Sequence, residues 1–326
     1  MENIPLASIV SESHDEFIQP RVIYMCVPPI SNGDVMADRP RFGPAGVPSG
    51  FKALRSPVFE VPKYLHDEEL DAFEYQAVRW GPKPQMKREI AEKLGINAEK
   101  HNVWLTVHGS YFVNFCGDEE TIEKSKSRLI ACATAADWMG AHLVVFHPGF
   151  YGKRSPKEAL ELCVKAMGEV VESMKLLQIS KVHLGPETTG KLSQFGSLGE
   201  VLTLCERVEL TEPVVDWAHI HARDGGRMKT VNDFREALNE IEKRLGTEAV
   251  KNLHCHYTAV EFTDKGEKRH HTMDETEYGP PFEPFATLIA EIGLTPVIIS
   301  ESPILDLDAQ KMRDTVLRKL EEKRKH

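Results

Sequence analysis

In Val214-Val215-Asp216-Trp217-Ala218-His219-Ile220-His221 a short apolar run ends in a carboxylate, and two imidazoles follow within five residues. Pro213 opens the run, and Val214 and Val215 read as the end of a buried strand between two helical patterns. Asp216 then falls where the strand meets solvent, with His219 in the segment just beyond. A carboxylate at a strand's carboxyl end is where α/β barrels hold their chemistry. Carboxylate oxygen and imidazole nitrogen are also the ligand pair that suits zinc and related divalent ions. Taken alone, the stretch reads as an aspartate capping the next helix beside surface histidines. The other strand ends change that reading.

Outward from this stretch, apolar runs alternate with helical periodicity along the chain. Strands are expected at Val22–Val27, Ala72–Ala77, Val103–Val107, Leu143–Phe146, Val182–Leu184, Pro213–Asp216, Asn252–His256 and Pro296–Ser300. Helices are expected at Pro62–Leu70, Met86–Leu94, Thr121–Met139, Pro156–Leu177, Leu198–Arg207, Thr230–Leu245, Phe285–Ile292 and Asp308–Lys323. The Gly- and Pro-rich stretch Ser31–Lys52 reads as a long irregular loop. Such alternation without a break in composition predicts an α/β protein, a (β/α)8 TIM barrel. Residues 21–326 would form that single barrel domain, and residues 1–20 a short lead-in. An open doubly wound sheet fits less well, because no Gly-rich phosphate fingerprint follows any strand.

The composition agrees: 326 residues, 41% hydrophobic and 28% charged, with ample material for a core. No apolar run approaches the roughly 20 residues of a membrane span. The first twenty residues carry Glu2, Glu12, Asp15 and Glu16 and do not read as a secretory signal. The six cysteines are scattered without a C-x-x-C pair, which predicts reduced thiols and a cytoplasmic home. A net charge of −10 argues against a generic nucleic-acid binder. Divalent ions clustered in one cleft would reverse the local field, so a metal-bearing nucleic-acid enzyme stays open.

The strand ends, viewed together, deliver one kind of chemistry. Strand three ends in His108-Gly-Ser-Tyr111, strand four in His147-Pro-Gly149 and strand five in Glu187-Thr-Thr-Gly190. Strand six delivers Asp216 and His219, strand seven His254-Cys255-His256, and strand eight Glu301-Ser-Pro303. A loop after strand seven adds Arg269-His270-His271. Six consecutive strands therefore end in a side chain that can bind a metal, and a barrel points all six at one cleft. Buried, unpaired carboxylates and imidazoles cost several kcal/mol each unless neutralised, and divalent ions do that. His14, His66, His101 and His326 read as solvated, and His142 and His183 stand near strand starts at the opposite end. His221, His256 and His271 read as partners that orient a ligand.

The ordered set H-x-S-Y, F-H-P-G, E-x-T, D-x-x-H, H-x-H, R-H-H and E-x-P resembles the endonuclease IV family, the metal-dependent abasic-site endonucleases of DNA repair. The resemblance spans roughly Val22 to Asp308. It implies a zinc-dependent hydrolase with two or three Zn2+ per chain, Mn2+ being the other candidate. The substrate would be double-stranded DNA, cut 5′ to an abasic site, with 3′-end trimming as a further activity, and the protein would be a monomer. By motif, Glu187 resembles the carboxylate shared by the first two metals and would be catalytic. His108 and His147 resemble the other ligands of the first, and Asp216, His254 and Glu301 those of the second. His219 and His270 resemble ligands of the third, while Tyr111, Asn114 and Arg269 match positions used against DNA.

The chain departs from the family in two places. Lys268 stands where the family has an Asp two residues before the histidine of R-H-H, with Glu267 beside it. The loop after strand one is also longer than in bacterial members. An ammonium cannot ligate a metal while protonated, so Glu267 is expected to complete that site. The rival readings are a sugar isomerase or epimerase on the same barrel, and a protein that grips damaged DNA without cutting it.

Overall fold

The computed structural model describes residues 39–325. Within them, eight parallel strands close a barrel: Arg41–Pro44, Ala72–Gln76, Trp104–His108, Leu143–Phe146, His183–Pro186, Val214–Asp216, His254–Tyr257 and Val297–Ser300. They pair as two four-stranded arcs. Backbone bridges Ala45↔Glu74, Leu184↔Thr211 and Glu187↔Val214 join the arcs into a ring.

The first strand differs from the sequence expectation. Val22–Val27 lies outside the described residues, and the barrel's first place is taken by Arg41-Phe-Gly-Pro44, inside the stretch expected to be an irregular loop. Its Gly and Pro hide it from any strand propensity. Packing explains the glycine: a Cβ on Gly43 would stand 1.7 Å from the carbonyl oxygen of Ala72. The other seven strands and most of the helices fall where periodicity places them, within a few residues, while the helix expected at Met86–Leu94 runs from Arg88 to Lys100.

Helix starts follow from their caps. Ser155 and Ser197 each form a capping box with a Glu three residues on, and Pro156 fills the first turn of Pro156–Leu176. That helix buries Ala159, Cys163, Ala166, Met167, Val170, Val171 and Met174, a single stripe facing the barrel wall. Most of the core lies between the helices and the outside of the barrel. Trp217, Phe234 and Phe285 pack there with ring centroids 4.9–5.4 Å apart. Burying each such ring contributes roughly 1.5–3 kcal/mol.

Inside the barrel two small apolar clusters, Ala72, Val297 and Ile299 in one and Leu143, Val145 and Val214 in the other, form a floor beneath the polar carboxyl end. Two antiparallel pairs stand on that end: Gly149–Phe150 with Gln194–Phe195, and the hairpin Ala259–Thr263 with Gly266–His271. The second was expected only as a loop. Among the described residues no helix is long and apolar enough to cross a membrane.

Candidate metal centre

Glu187 leaves the fifth strand at the middle of the carboxyl face and is fully buried. Its backbone N–H donates to Phe146 O at 3.0 Å, so the carboxylate is set by the neighbouring strand. Oε2 lies 3.4 Å from His108 Nε2 and 3.1 Å from His147 Nε2. Oε1 lies 3.2 Å from His219 Nδ1 and 3.3 Å from His256 Nδ1. Four imidazoles thus surround one carboxylate. Neither oxygen has a hydrogen-bond partner of good geometry among the described residues, nor do the buried atoms Asp216 Oδ2, His256 Nδ1 and His270 Nε2. Orphaned buried acceptors on this scale are costly, and a cation held among them removes the cost.

Three of the imidazoles are turned by backbone carbonyls. His108 Nδ1 lies 3.0 Å from Gly109 O, His219 Nδ1 2.8 Å from Thr188 O and His270 Nδ1 3.1 Å from Glu301 O. A carbonyl can only accept, so each Nδ1 carries a proton and each Nε2 is the nitrogen turned to the cleft. This is how ligating histidines are commonly oriented.

Asp216 serves both of its sequence readings at once. Oδ1 accepts the His219 N–H at 2.7 Å and caps the helix Trp217–Arg223, while Oδ2 faces the centre. Strand register then selects its histidine. Asp216 pairs across to His256, and His254 pairs two residues lower with Val214. His256 Nδ1 is 3.3 Å from both Glu187 and Glu301, so His256 stands level with the second carboxylate group. His254, assigned there by motif, lies two residues lower and groups with Glu74 and His256 as a candidate ligand set. Its Nε2 lies 3.2 Å from Glu74, deeper in the barrel.

Glu267 reaches the third cluster: Oε2 is 3.3 Å from His219 Nε2 and Oε1 is 3.4 Å from His270 Nε2. A β-bulge takes up the residue that separates it from Arg269. Glu261 pairs with Arg269 and Phe262 with Glu267, which leaves Lys268 as the extra residue. Its ammonium turns outward to Glu261 at 2.5 Å. The hairpin also leans closely on the loop after strand five. Gly266 has φ +96°, and a Cβ on it would lie 2.1 Å from Gly190 O. A Cβ on Gly190 would lie 2.7 Å from Glu267 Cβ. Two glycines make room for one carboxylate.

The electrostatics fit a cation site. Burial alone would push Glu187 up, but the imidazoles, His147 and His256 foremost, hold it well below the usual carboxylate range. Burial likewise opposes ionisation of Glu301, yet His256 draws it down to about 2. Burial pulls His108 and His270 down, and the carboxylates Glu187 and Glu267 override this to raise each to about 9. Asp216 goes up, through burial first, with Glu301 and Glu187 adding to it against His219. Ionised carboxylates are therefore kept in place by positive charge at the centre, which a divalent ion also supplies.

Ligand groups on this face include His108, His147 and Glu187; Glu74, His254 and His256; and His219, Glu267 and His270. His256 also reaches Glu187 and Glu301, and Asp216 Oδ2 lies 3.5 Å from His219 Nδ1. Glu74 was missed by the sequence reading. It sits mid-strand, fully buried, and takes His254 Nε2 and His256 Nε2 at 3.2 Å and Thr106 Oγ1 at 3.1 Å. A lone acid inside the apolar run Ala72-Phe-Glu-Tyr75 was its only signal.

At the rim, Tyr111 and Phe112 are 54% and 58% exposed, and the Tyr111 ring lies 5.2 Å from that of His108. Arg269 is exposed on the hairpin. Asn114 is occupied internally: its Oδ1 accepts from Cys116 N at 3.2 Å and Phe150 N at 3.1 Å. His221 and His271 serve the hairpin's surroundings. His221 Nδ1 donates to Met228 O at 3.0 Å, and His271 stacks on Tyr278 with centroids 3.7 Å apart.

Fold and site together define a parallel α/β barrel with a polynuclear ligand set at its carboxyl face. Residues 62–320 match the family described as xylose isomerase-like TIM barrel, and the chain belongs to it. The uncharacterized protein MJ0133 of Methanocaldococcus jannaschii is 32% identical over 82% of this chain and 93% of its own length. A probable endonuclease 4 of Finegoldia magna is 25% identical over 72% of this chain and 81% of its own. Among solved structures, endonuclease IV from Thermus thermophilus superposes with a TM-score of 0.62 at 20% identity, covering 80% of this chain and 94% of that one. D-psicose 3-epimerase from Clostridium cellulolyticum superposes with a TM-score of 0.56 at 15% identity, covering 81% and 94%. The endonuclease IV-like resemblance read from the motifs is thus shared by sequence relatives and by fold.

Proposed function

We propose that the protein is a zinc-dependent endonuclease that hydrolyses the phosphodiester 5′ to abasic sites in double-stranded DNA. The observation that carries this is the set of five imidazoles, from His108, His147, His219, His256 and His270, converging on Glu187, Asp216, Glu267 and Glu301. Two to three ions bound there would supply Lewis acidity, a lowered pKa for bound water and charge for the leaving oxygen. Nitrogen-rich ligand sets suit zinc, with Mn2+ the other candidate.

The chain's own residues do the rest. Glu187 offers one oxygen to each side of the cluster and so orients whatever lies between the first two groups. Glu267 and His270 hold the third group from the hairpin, where the leaving 3′-oxygen would be received. Exposed Tyr111 stands beside His108 and His147, and with its exposed neighbour Phe112 it would press on the DNA and shield the cleft from water. An abasic nucleotide has no base to unstack, so it turns into such a pocket at lower cost than an intact one.

The epimerase reading shares the fold but has less use for so many imidazoles. Purified protein and an abasic oligonucleotide duplex decide between them. Incision that stops with a chelator and returns with Zn2+ is expected. Uncut duplex under these conditions, or interconversion of free ketoses, would overturn the reading; binding without cutting would leave a damage-binding protein.

A further inference from the structure

We propose that the amino-terminal mouth of the barrel holds a second, separate metal site, formed by His142, His183 and Glu212 and suited to Zn2+ or a similar borderline dication. His142 Nε2 lies 2.9 Å and 3.2 Å from the two Glu212 oxygens, and His183 Nδ1 lies 2.5 Å from Glu212 Oε1. One ligand atom from each residue falls within 4.8 Å of the others. Two imidazoles and a carboxylate, with a fourth position open to water, form a common zinc ligand set.

The backbone fixes the three together. His142 stands just before the fourth strand, His183 opens the fifth and Glu212 precedes the sixth. The His183 N–H donates to His142 O at 2.8 Å, and the Glu212 N–H donates to Leu184 O at 3.0 Å. Three adjacent strands thus present one ligand each from a rigid edge. The side chains are 23%, 21% and 33% exposed, so an ion can enter from solvent yet loses much of its water there. The Trp104 ring, 5.1 Å from that of His142, walls one side.

One contact is poorly satisfied. His183 Nδ1 is a buried atom that makes no well-formed hydrogen bond, although a carboxylate oxygen stands 2.5 Å away. Tetrahedral ligands at about 2.0–2.1 Å from zinc lie about 3.3 Å from one another. The His142–Glu212 pair is already near that spacing, and His183 needs to open by under an ångström.

The site is distinct from the centre on the carboxyl face. His183 and Glu187 are four residue steps apart along the strand direction, about 13 Å at the usual rise. The Leu143, Val145 and Val214 floor lies across that span. Its role would be a clip across the entry ends of three strands, independent of whatever the opposite face does.

The test uses the full chain with Zn2+ as the only probe. Metal analysis of the wild type against Glu212→Gln and His183→Ala should show one zinc fewer per chain in each variant, with catalytic-face stoichiometry unchanged. The zinc-dependent rise in thermal midpoint should shrink in both. Glu212→Gln keeps the size and hydrogen-bonding capacity of the residue, so it serves if His183→Ala fails to fold. Anomalous density among the three side chains of crystals soaked in millimolar Zn2+ is expected. No density there, or an unchanged zinc count in Glu212→Gln, overturns the proposal.

Discussion

Glu267 and Lys268 are sequence neighbours with opposite charges and opposite directions. Glu267 faces His219 and His270, while Lys268 leaves the site for Glu261. Glu267→Gln should therefore lower bound metal by one ion per chain and slow incision, whereas Lys268→Ala should change neither. Metal content and single-turnover rates on both variants check this. Glu187→Gln should cost at least about a hundredfold in incision, on the scale of a catalytic group acting at the reacting atoms. Abasic-duplex binding should persist in a gel-shift assay, and near-normal incision would remove Glu187 from the mechanism. At this scale the sequence showed residue types well and levels poorly. His254 and His256 share a face by alternation, and only the register with Asp216 tells which is higher. Glu74 was invisible because nothing in a strand pattern says what a buried acid will meet across the barrel.

Among the elements, alternation made seven barrel strands legible, since each is an apolar run bounded by breakers. Arg41–Pro44 escaped because its place is set by closure of the ring, with Gly43 against Ala72, and not by its own propensity. The hairpin Ala259–His271 escaped for a related reason: its charged residues 261–271 lack a clean period of two. The bulge takes up the residue beside the shifted acid. Deleting Lys268 would leave Glu261 paired with Arg269 and Phe262 with Glu267, an unbroken ladder. Glu267 and His270 would then alternate on one face. The deletion variant is expected to fold, keep its metal content and retain incision within about tenfold, the loss left when a side chain stays in reach but shifts slightly. Loss of one ion from that variant would show that the bulge itself aims the carboxylate.

For the whole molecule, a charge of −10 would make the proposed DNA binding depend on what the carboxyl face holds. Stripping metal with a chelator should weaken abasic-duplex binding at least about tenfold as well as stop cleavage, with the circular dichroism of the fold retained; a tenfold change is only about 1.4 kcal/mol. Equal affinity of the stripped, folded protein would defeat the field argument. The ligand groups are also mounted differently. His108, Glu187, Asp216, His256 and Glu301 sit on or at the ends of barrel strands, but Glu267 and His270 ride on a two-stranded ribbon outside the ring. A ribbon of that kind opens far more cheaply than a closed barrel. In hydrogen–deuterium exchange, the amides of 259–271 should exchange before those of the wall strands, and added zinc should slow the ribbon selectively. The third ion would then be the last to arrive and the first to leave, so a zinc-starved cell would hold a pool of folded protein one ion short of action.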